Sequence, residues 1–160
     1  MTGRMAVDGL KRRLDATFDR AARAASGGLE AELLSDLARH LCVLVAGFLE
    51  QAVVELVLEH GRSHAHPTVQ RYLDRQLRRR FTNVSSERLI QLMGSFSDDW
   101  RTNMERYLVD EYKDALNGVL ALRNRIAHGG HTDVTIVRVR DYYARVQKVV
   151  DYIADMCVPI

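Results

Sequence analysis

The segment Leu122–Gly130, LRNRIAHGG, places an arginine and a histidine five positions apart at the end of a helical pattern. The guanidinium of Arg123 offers a fork of donors that fits phosphate oxygens. An unperturbed imidazole titrates near neutral pH, so His128 can take or give a proton there. These residue types suit acid–base chemistry on a phosphate ester. Helix stability alone does not require them, because Asn and His are mediocre helix formers and Gly129-Gly130 stops the helix.

The spacing of the two groups limits how they can meet. In a regular helix, residues five apart point about 140° away from each other. Arg123 and His128 therefore share a cleft only if the helix loosens before Gly129, or if two copies of the chain meet along this segment. A two-fold interface would gather two arginines and two histidines, and we expect a homodimer with a composite site.

A plainer interpretation of these charges stays open. Cations near a helix C-terminus are favoured by the helix dipole, and Arg123 and His128 need do nothing more than that. Asn124 separates the two interpretations, because an Asn one turn before a helix end adds nothing to dipole compensation. In a phosphate site, Asn124 would orient the phosphate or the histidine. Arg125 would hold a neighbouring phosphate there, or it is simply a solvated helix charge.

Three further features could extend such a site. Glu50 interrupts an apolar helix face, where an unpaired carboxylate is costly. Three interpretations stay open: Glu50 lies in an internal ion pair, it faces solvent, or it orients Arg123 or His128 without itself contacting the phosphate. His131 either assists in the site or is an ordinary residue of a glycine-flanked loop. The densest basic stretch, RQLRRRF, is either a solvated face or a track of contacts to nucleic-acid phosphates, through Arg75, Arg78 and Arg79.

The sequence predicts no metal ion and no cofactor. His60, His64 and His66 lie around HGRSHAHP, but a zinc site needs further ligands at matching spacing, and nothing nearby supplies them. We predict an exposed loop there. Cys42 and Cys157 form no CxxC pair, and they fit buried thiols in a reducing compartment.

The composition sets the class of protein. A chain of 160 residues with 47% apolar residues is long enough for one domain, 1–160. Its 23 basic and 21 acidic residues nearly cancel, so any nucleic-acid contact must come from a local patch. The N-terminus lacks a signal-peptide core. The strongest apolar run, Leu41–Leu49, is shorter than the roughly 20 residues of a membrane span, so we predict a soluble, cytoplasmic protein.

Helical periodicity runs along almost the whole chain. It predicts a first helix that contains Val7–Ala21 and ends at Ser26-Gly27-Gly28. A long second helix is predicted from Leu29 to about Glu59, buried on more than one side and closed by His60-Gly61. A break near Asn117-Gly118 could interrupt a later helix. Further helices are expected to begin at Pro67, at Ser85 or Ser86, at Ser97 and at Thr135. The pattern predicts an all-α bundle of five to six helices.

The segment LRNRIAHGG resembles the R-N-x-I-A-H-G signature of HEPN domains, small helical nucleotide- and RNA-binding modules whose catalytic members share an R-x(4–6)-H pattern. The similarity extends to LARHLCVLVAGFLEQAVVELVLEHG, PTVQRYLDRQLRRRFTNVSSERLIQLMGSFSDDW and TDVTIVRVRDYYARVQKVVDYI. It covers about 130 residues and is strongest to the RiboL-PSP-HEPN group.

The resemblance implies a metal-independent endoribonuclease with Arg123 and His128 as its catalytic pair. RNA would be the substrate, and an antitoxin or another protein is a potential partner. The role in the cell would be similar to that of related domains in toxin–antitoxin, phage-defence or RNA-processing systems. The alternative is a non-catalytic HEPN module that binds RNA, a nucleotide or a protein partner in the same groove.

Overall fold

The computed structural model describes all 160 residues, which form seven α-helices and no β-strand. The all-α prediction is confirmed, with one helix more than the upper end of the predicted range. In chain order the helices are α1 (Gly3–Ser26), α2 (Ala31–His64), α3 (Pro67–Arg80), α4 (Ser86–Gly94), α5 (Asp98–Tyr107), α6 (Asp110–Ala127) and α7 (Ile136–Cys157).

The longest helix, α2, lies at the centre of the bundle. Helices α1, α3, α6 and α7 all pack against it, while α4 and α5 pack against each other. Buried side chains occur on several sides of α2, as its two apolar faces predict, and they include Leu41, Val45, Leu49, Val53 and Leu56. Each fully buried Leu stabilises the fold by about 1.5–3 kcal/mol relative to an exposed one. The site elements α3 and α6 are thus held on one rigid core.

By length and composition alone, α2 could also cross a membrane. However, 67% of its apolar window is buried inside the bundle, as in the core helix of a soluble protein. The structure is therefore compatible with the predicted solubility. The cytoplasmic location stays a prediction.

The predicted helix starts are confirmed in detail. Pro67 occupies the first turn of α3, where its missing N–H costs nothing. Ser85, Ser97 and Thr135 are N-caps whose hydroxyl oxygens accept hydrogen bonds from backbone N–H groups of the first turn. These starts depend on contacts within a few residues, which is why the sequence reveals them.

The predicted end of α2 is wrong. The helix continues past His60-Gly61 to His64, so His60 and His64 do not lie in an exposed loop. Gly61 stays helical and buried because Leu73 of α3 packs onto it: a Cβ at Gly61 would lie 2.8 Å from the Leu73 Cδ2 atom. This glycine is a packing site and not a helix stop.

The chain also does not break at Asn117-Gly118, which lie inside α6. A Cβ at Gly118 would stand 2.9 Å from the hydroxyl oxygen of Tyr142, so the glycine allows α7 to approach α6 closely. The break falls at Leu108-Val109, between α5 and α6. That break accounts for the seventh helix.

Candidate functional site

The end of α6 is closed by a Schellman motif that fixes the position of His128. The N–H of Gly130 donates to the carbonyl of Arg125 at 2.8 Å, and the N–H of Gly129 donates to the carbonyl of Ile126 at 3.1 Å. Gly129 has φ 75°, a left-handed conformation that a glycine adopts without strain. The two glycines of the motif therefore set where His128 leaves the helix.

α6 stays regular up to His128, whose N–H donates to the carbonyl of Asn124 at 3.1 Å. The helix therefore does not loosen before Gly129, which removes the first of the two predicted arrangements. At 100° per residue, Arg123 lies about 40° from the buried Val119 and His128 about 180° from it. Arg123 is half-buried and His128 is exposed. Within one chain the two groups have separate surroundings.

Arg123 is held by a residue of the loop between α3 and α4. Its guanidinium donates a hydrogen bond to the side-chain oxygen of Asn83. The backbone N–H of Asn83 donates in turn to a carboxylate oxygen of Glu50, at 2.9 Å. Glu50 makes no ion pair, and it is linked to Arg123 through Asn83. Glu50 is also partly exposed, so its role as an orienting carboxylate stays a prediction.

Asn83 is the member of this network that the sequence did not reveal. It adopts φ 56°, a left-handed conformation in which Asn is enriched among non-glycine residues. The only local signal is an Asn in FTNVSS between two helices. That signal marks a turn but does not reveal a contact with a residue on α6.

The remaining residues of the motif lie on open surface. Asn124 is half-buried and Arg125 exposed, and neither side chain is hydrogen-bonded. Gly130 packs over the stem of Arg125, since a Cβ there would lie 2.8 Å from Arg125 Cγ. His131 is exposed, and its Nε2 lies 3.0 Å from a carboxylate oxygen of Asp133. That contact gives His131 a partner of its own, away from the helix.

The arginines of α3 divide into two kinds. Arg78 lies 3.0 Å from Glu55 and 2.6 Å from Asp74. Burial lowers the pKa of Arg78, but hydrogen bonds to both carboxylates outweigh it, and the pKa is raised above its ordinary value. Arg75 and Arg79 are exposed and make no ion pair. Of the three predicted RNA contacts on α3, only these two have free guanidinium groups.

The histidines near the end of α2 form part of an aromatic cluster. The rings of His60 and His64 stack with centroids 4.2 Å apart, and Trp100 meets His60 edge-on at 4.7 Å. His60 Nδ1 lies 3.1 Å from the carbonyl oxygen of Cys157. The side chain of His66 caps α3 by accepting from the Thr68 N–H. No group of three or more His, Cys, Asp or Glu side chains is arranged to hold a metal ion.

Both cysteines are buried free thiols, as predicted. Burial raises the pKa of Cys42 to about 11 and that of Cys157 to about 12. A nucleophilic cysteine needs a lowered pKa, because the thiolate is the reactive form. Neither thiol is therefore suited to catalysis.

Comparison with known proteins adds one finding. The family described as RiboL-PSP-HEPN matches residues 11–158, which is nearly the whole chain. No curated protein and no solved structure gives a significant match. The matched region contains Glu50, Asn83 and the whole α6 motif.

Proposed function

The chain belongs to the RiboL-PSP-HEPN family, and we propose that it cuts RNA, without a metal ion, at a site built by two copies of the chain. The observation that carries this proposal is how the two polar groups of the α6 motif are placed. Arg123 is oriented by Asn83, and His128 is exposed with both ring nitrogens unoccupied. One hydrogen bond to Asn83 leaves the guanidinium with four of its five N–H donors for a phosphate.

The chemistry follows from these two groups. One His128 takes the proton of the 2′-hydroxyl, whose oxygen attacks the adjacent phosphorus, and a 2′-oxygen–phosphorus bond forms. The bond from phosphorus to the 5′-oxygen breaks, and the 5′-oxygen takes a proton from a water molecule. Arg123 stabilises the charge that builds up on the phosphate oxygens. The products are a 2′,3′-cyclic phosphate and a 5′-hydroxyl.

The homodimer is part of the proposal, because one chain separates the two groups by about 140° of helix surface. A two-fold axis near the end of α6 would bring His128 of one protomer toward Arg123 of the other. The biological role as a toxin, a defence factor or an RNA-processing enzyme is proposed on the same basis. An antitoxin would be a protein that covers His128.

The proposal is tested by incubating the purified protein with a defined RNA in EDTA and identifying the chemical ends of the products. We expect cleavage that leaves cyclic phosphate ends. His128→Ala should lower the rate by about 10²–10⁴ and Arg123→Ala by about 10²–10³. His40→Ala and Arg106→Ala are controls of the same residue types, since both residues are exposed and lie on other helices, α2 and α5. Equal activity in all five proteins would contradict the proposal.

One observation favours a second function, a non-catalytic module that binds RNA, a nucleotide or a protein partner. A catalytic histidine is usually oriented by a hydrogen bond to its second ring nitrogen, which fixes the tautomer. His128 has no such partner within the chain. If RNA raises the melting temperature of the wild type but is never cut, the binding function replaces the enzymatic one.

A further inference from the structure

One segment of this protein is more densely positive than the rest. Residues 67–88, which comprise α3, the following loop and the start of α4, contain six arginines and two carboxylates, a net charge of +4. The whole chain has a net charge of +2, so the rest of it carries −2. The local basic patch that a nucleic-acid contact would require is therefore present, and it lies on α3.

The arginines of this patch form a row. Arg71, Arg75 and Arg79 follow one another at intervals of four residues, so they lie one above the next along one side of α3. All three are exposed and none makes an ion pair. Like charges at this spacing destabilise a helix. The row would therefore be stabilised by an anion from outside the chain.

The neighbouring carboxylates are already engaged on the inner side of α3. Glu55 and Asp74 bind Arg78. Glu59 binds Arg62, and Glu50 accepts from the Asn83 N–H. α2 is the only helix with extensive packing against α3. In the half of α2 that makes this contact, Glu50, Glu55 and Glu59 all have partners, so none of them is left for the row.

An exposed aromatic ring accompanies the row. Tyr72 is 65% exposed, although tyrosines are on average partly buried. On the helix surface Tyr72 lies about 60° from Arg75 and about 20° from Arg79. We call the surface formed by Arg71, Tyr72, Arg75 and Arg79 the α3 arginine face. A ring among cations is the arrangement by which proteins bind single-stranded nucleic acid, with bases on the ring and phosphates on the arginines.

The α3 arginine face leads directly to the α6 motif. Arg79 lies in the last turn of α3, and Asn83, which accepts from Arg123, is only four residues further along the chain. Just beyond this short loop, in the first turn of α4, Arg88 donates to the carbonyl of Arg80 and lies over the ring of Phe81, 5.8 Å from its centroid. Cationic groups thus continue from α3 to the proposed site of cleavage.

We propose that the α3 arginine face is a binding surface for single-stranded RNA, which holds the nucleotides that flank the bond to be cut. The inference depends on the proposed function in that RNA is the substrate. Tyr72 and Arg79 are about 10 Å apart along the helix axis at 1.5 Å per residue, which is room for two or three nucleotides. Tyr72 stacks on a base, and Arg75 and Arg79 neutralise two phosphates.

An acidic protein is the other occupant that such a surface could attract. RNA is favoured because the arginines form a row and not a scattered patch, and because the row ends four residues before Asn83, which contacts Arg123. A stacking ring among arginines also suits every base without sequence preference. Binding of a short RNA oligonucleotide to this surface distinguishes the two occupants.

The test measures binding of a fluorescent 12-nucleotide single-stranded RNA with 2′-O-methyl groups, which cannot be cut by attack of a 2′-hydroxyl. Fluorescence anisotropy of the full chain is followed over a range of salt concentrations. Arg75→Gln/Arg79→Gln should weaken binding and reduce the slope of log K against log salt by about 1.4, at about 0.7 per phosphate. Arg20→Gln/Arg23→Gln on α1 removes the same charge and should leave the slope unchanged.

Tyr72 gives a second measurement that does not depend on charge. Tyr72→Leu should weaken binding about tenfold, while Tyr72→Phe, which keeps the ring, should bind like the wild type. If the α3 variants bind like the α1 control, the inference is wrong and an acidic protein becomes the candidate occupant. Loss of binding in the α3 variants without cleavage of ordinary RNA by the wild type would support this surface and overturn the proposed nuclease.

Discussion

The side chain of Asn83 accepts a hydrogen bond from the guanidinium of Arg123, although the two residues are 40 positions apart in the chain. Asn83 is fixed in turn by the carboxylate of Glu50, which accepts its backbone N–H. A loop residue thus orients the arginine of the family motif. This arrangement makes Asn83 a positioning residue of the proposed nuclease.

Replacing Asn83 by glycine should lower the rate of cleavage and leave the fold intact. Glycine keeps the left-handed backbone but removes the acceptor oxygen. A hydrogen bond to a charged group contributes about 1.5–3 kcal/mol, which corresponds to roughly a ten- to hundredfold loss of kcat. Steady-state kinetics should show this loss in kcat with KM little changed, because Arg123 acts on charge that builds up in the transition state.

Asn83→Asp provides the rescue, because it keeps an acceptor oxygen and tolerates the same backbone conformation. Its kcat should lie well above that of Asn83→Gly. A merely structural role would give a lower melting temperature with kcat preserved in both variants, and that pattern would exclude Asn83 as a positioning residue.

Mixing two inactive variants should restore activity if the site is shared between protomers. An Arg123→Ala chain and a His128→Ala chain together still carry one intact Arg123 and one intact His128. Random exchange of subunits makes about half of the dimers mixed, each with one complete site of two, so about a quarter of wild-type activity should return. The measurement is RNA cleavage after co-refolding of the two variants from urea.

A site contained within one protomer would give no recovery at any mixing ratio. Light scattering provides the companion measurement. A particle of 18.2 kDa at micromolar concentration, the mass of one chain, would count against the dimer.

Gly129→Ala should reduce both stability and activity. Gly129 has φ 75°, and no atom lies within 4 Å of a Cβ added there. The substitution therefore costs backbone strain alone, about 1–2 kcal/mol of unfolding free energy. The melting temperature should fall by roughly 2–8 °C. Relief of that strain would move the Schellman turn and displace His128, so cleavage should fall as well.

Gly28→Ala is a matched control for the strain. Gly28 has φ 81° and equally open surroundings, but it follows α1 and has no contact with the α6 motif. It should show a similar loss of melting temperature with normal activity. Equal activity losses in the two variants would show that strain, and not the position of His128, matters.

The two thiols should resist alkylation until the protein unfolds. Their pKa values are raised from 9.0 to about 11 for Cys42 and about 12 for Cys157, so the native state binds these protons more tightly than the unfolded chain does. Their contribution to the free energy of unfolding is therefore complete below pH 9 and is lost as the pH rises from 9 toward 12. Mass spectrometry after iodoacetamide treatment at pH 9 should find neither residue modified, and both modified in urea.

Stability gives an independent check on the thiols. Urea midpoints should fall between pH 9 and pH 11 in the wild type, and fall less in Cys157→Ala. An equal fall in both proteins would assign the alkaline loss to other groups.

The sequence predicts the parts of this fold that depend on near neighbours. Pro67, Ser97 and Thr135 were identifiable as helix starts because a cap needs only the next few residues. The burial of α2 on several sides follows from its continuous apolar pattern. The Arg and His of the motif are found because they lie within one short segment that resembles a family signature.

What the sequence did not predict depends on distant packing. Gly61 resembles a helix stop, and only the approach of Leu73 keeps it inside α2. Asn83 resembles an ordinary turn residue until α6 is placed beside it. Arg78 resembles Arg75 and Arg79 in the sequence, and Glu55, 23 residues away, distinguishes it in the structure.

The separation of Arg123 and His128 by about 140° on one helix has a consequence for the living cell under the proposed chemistry. When protomers are mostly unpaired, the number of assembled dimers grows with the square of protein abundance. A few copies per cell would cleave little RNA, whereas a modest increase in synthesis would raise RNA cleavage steeply. Dose would then regulate this protein before any inhibitor does.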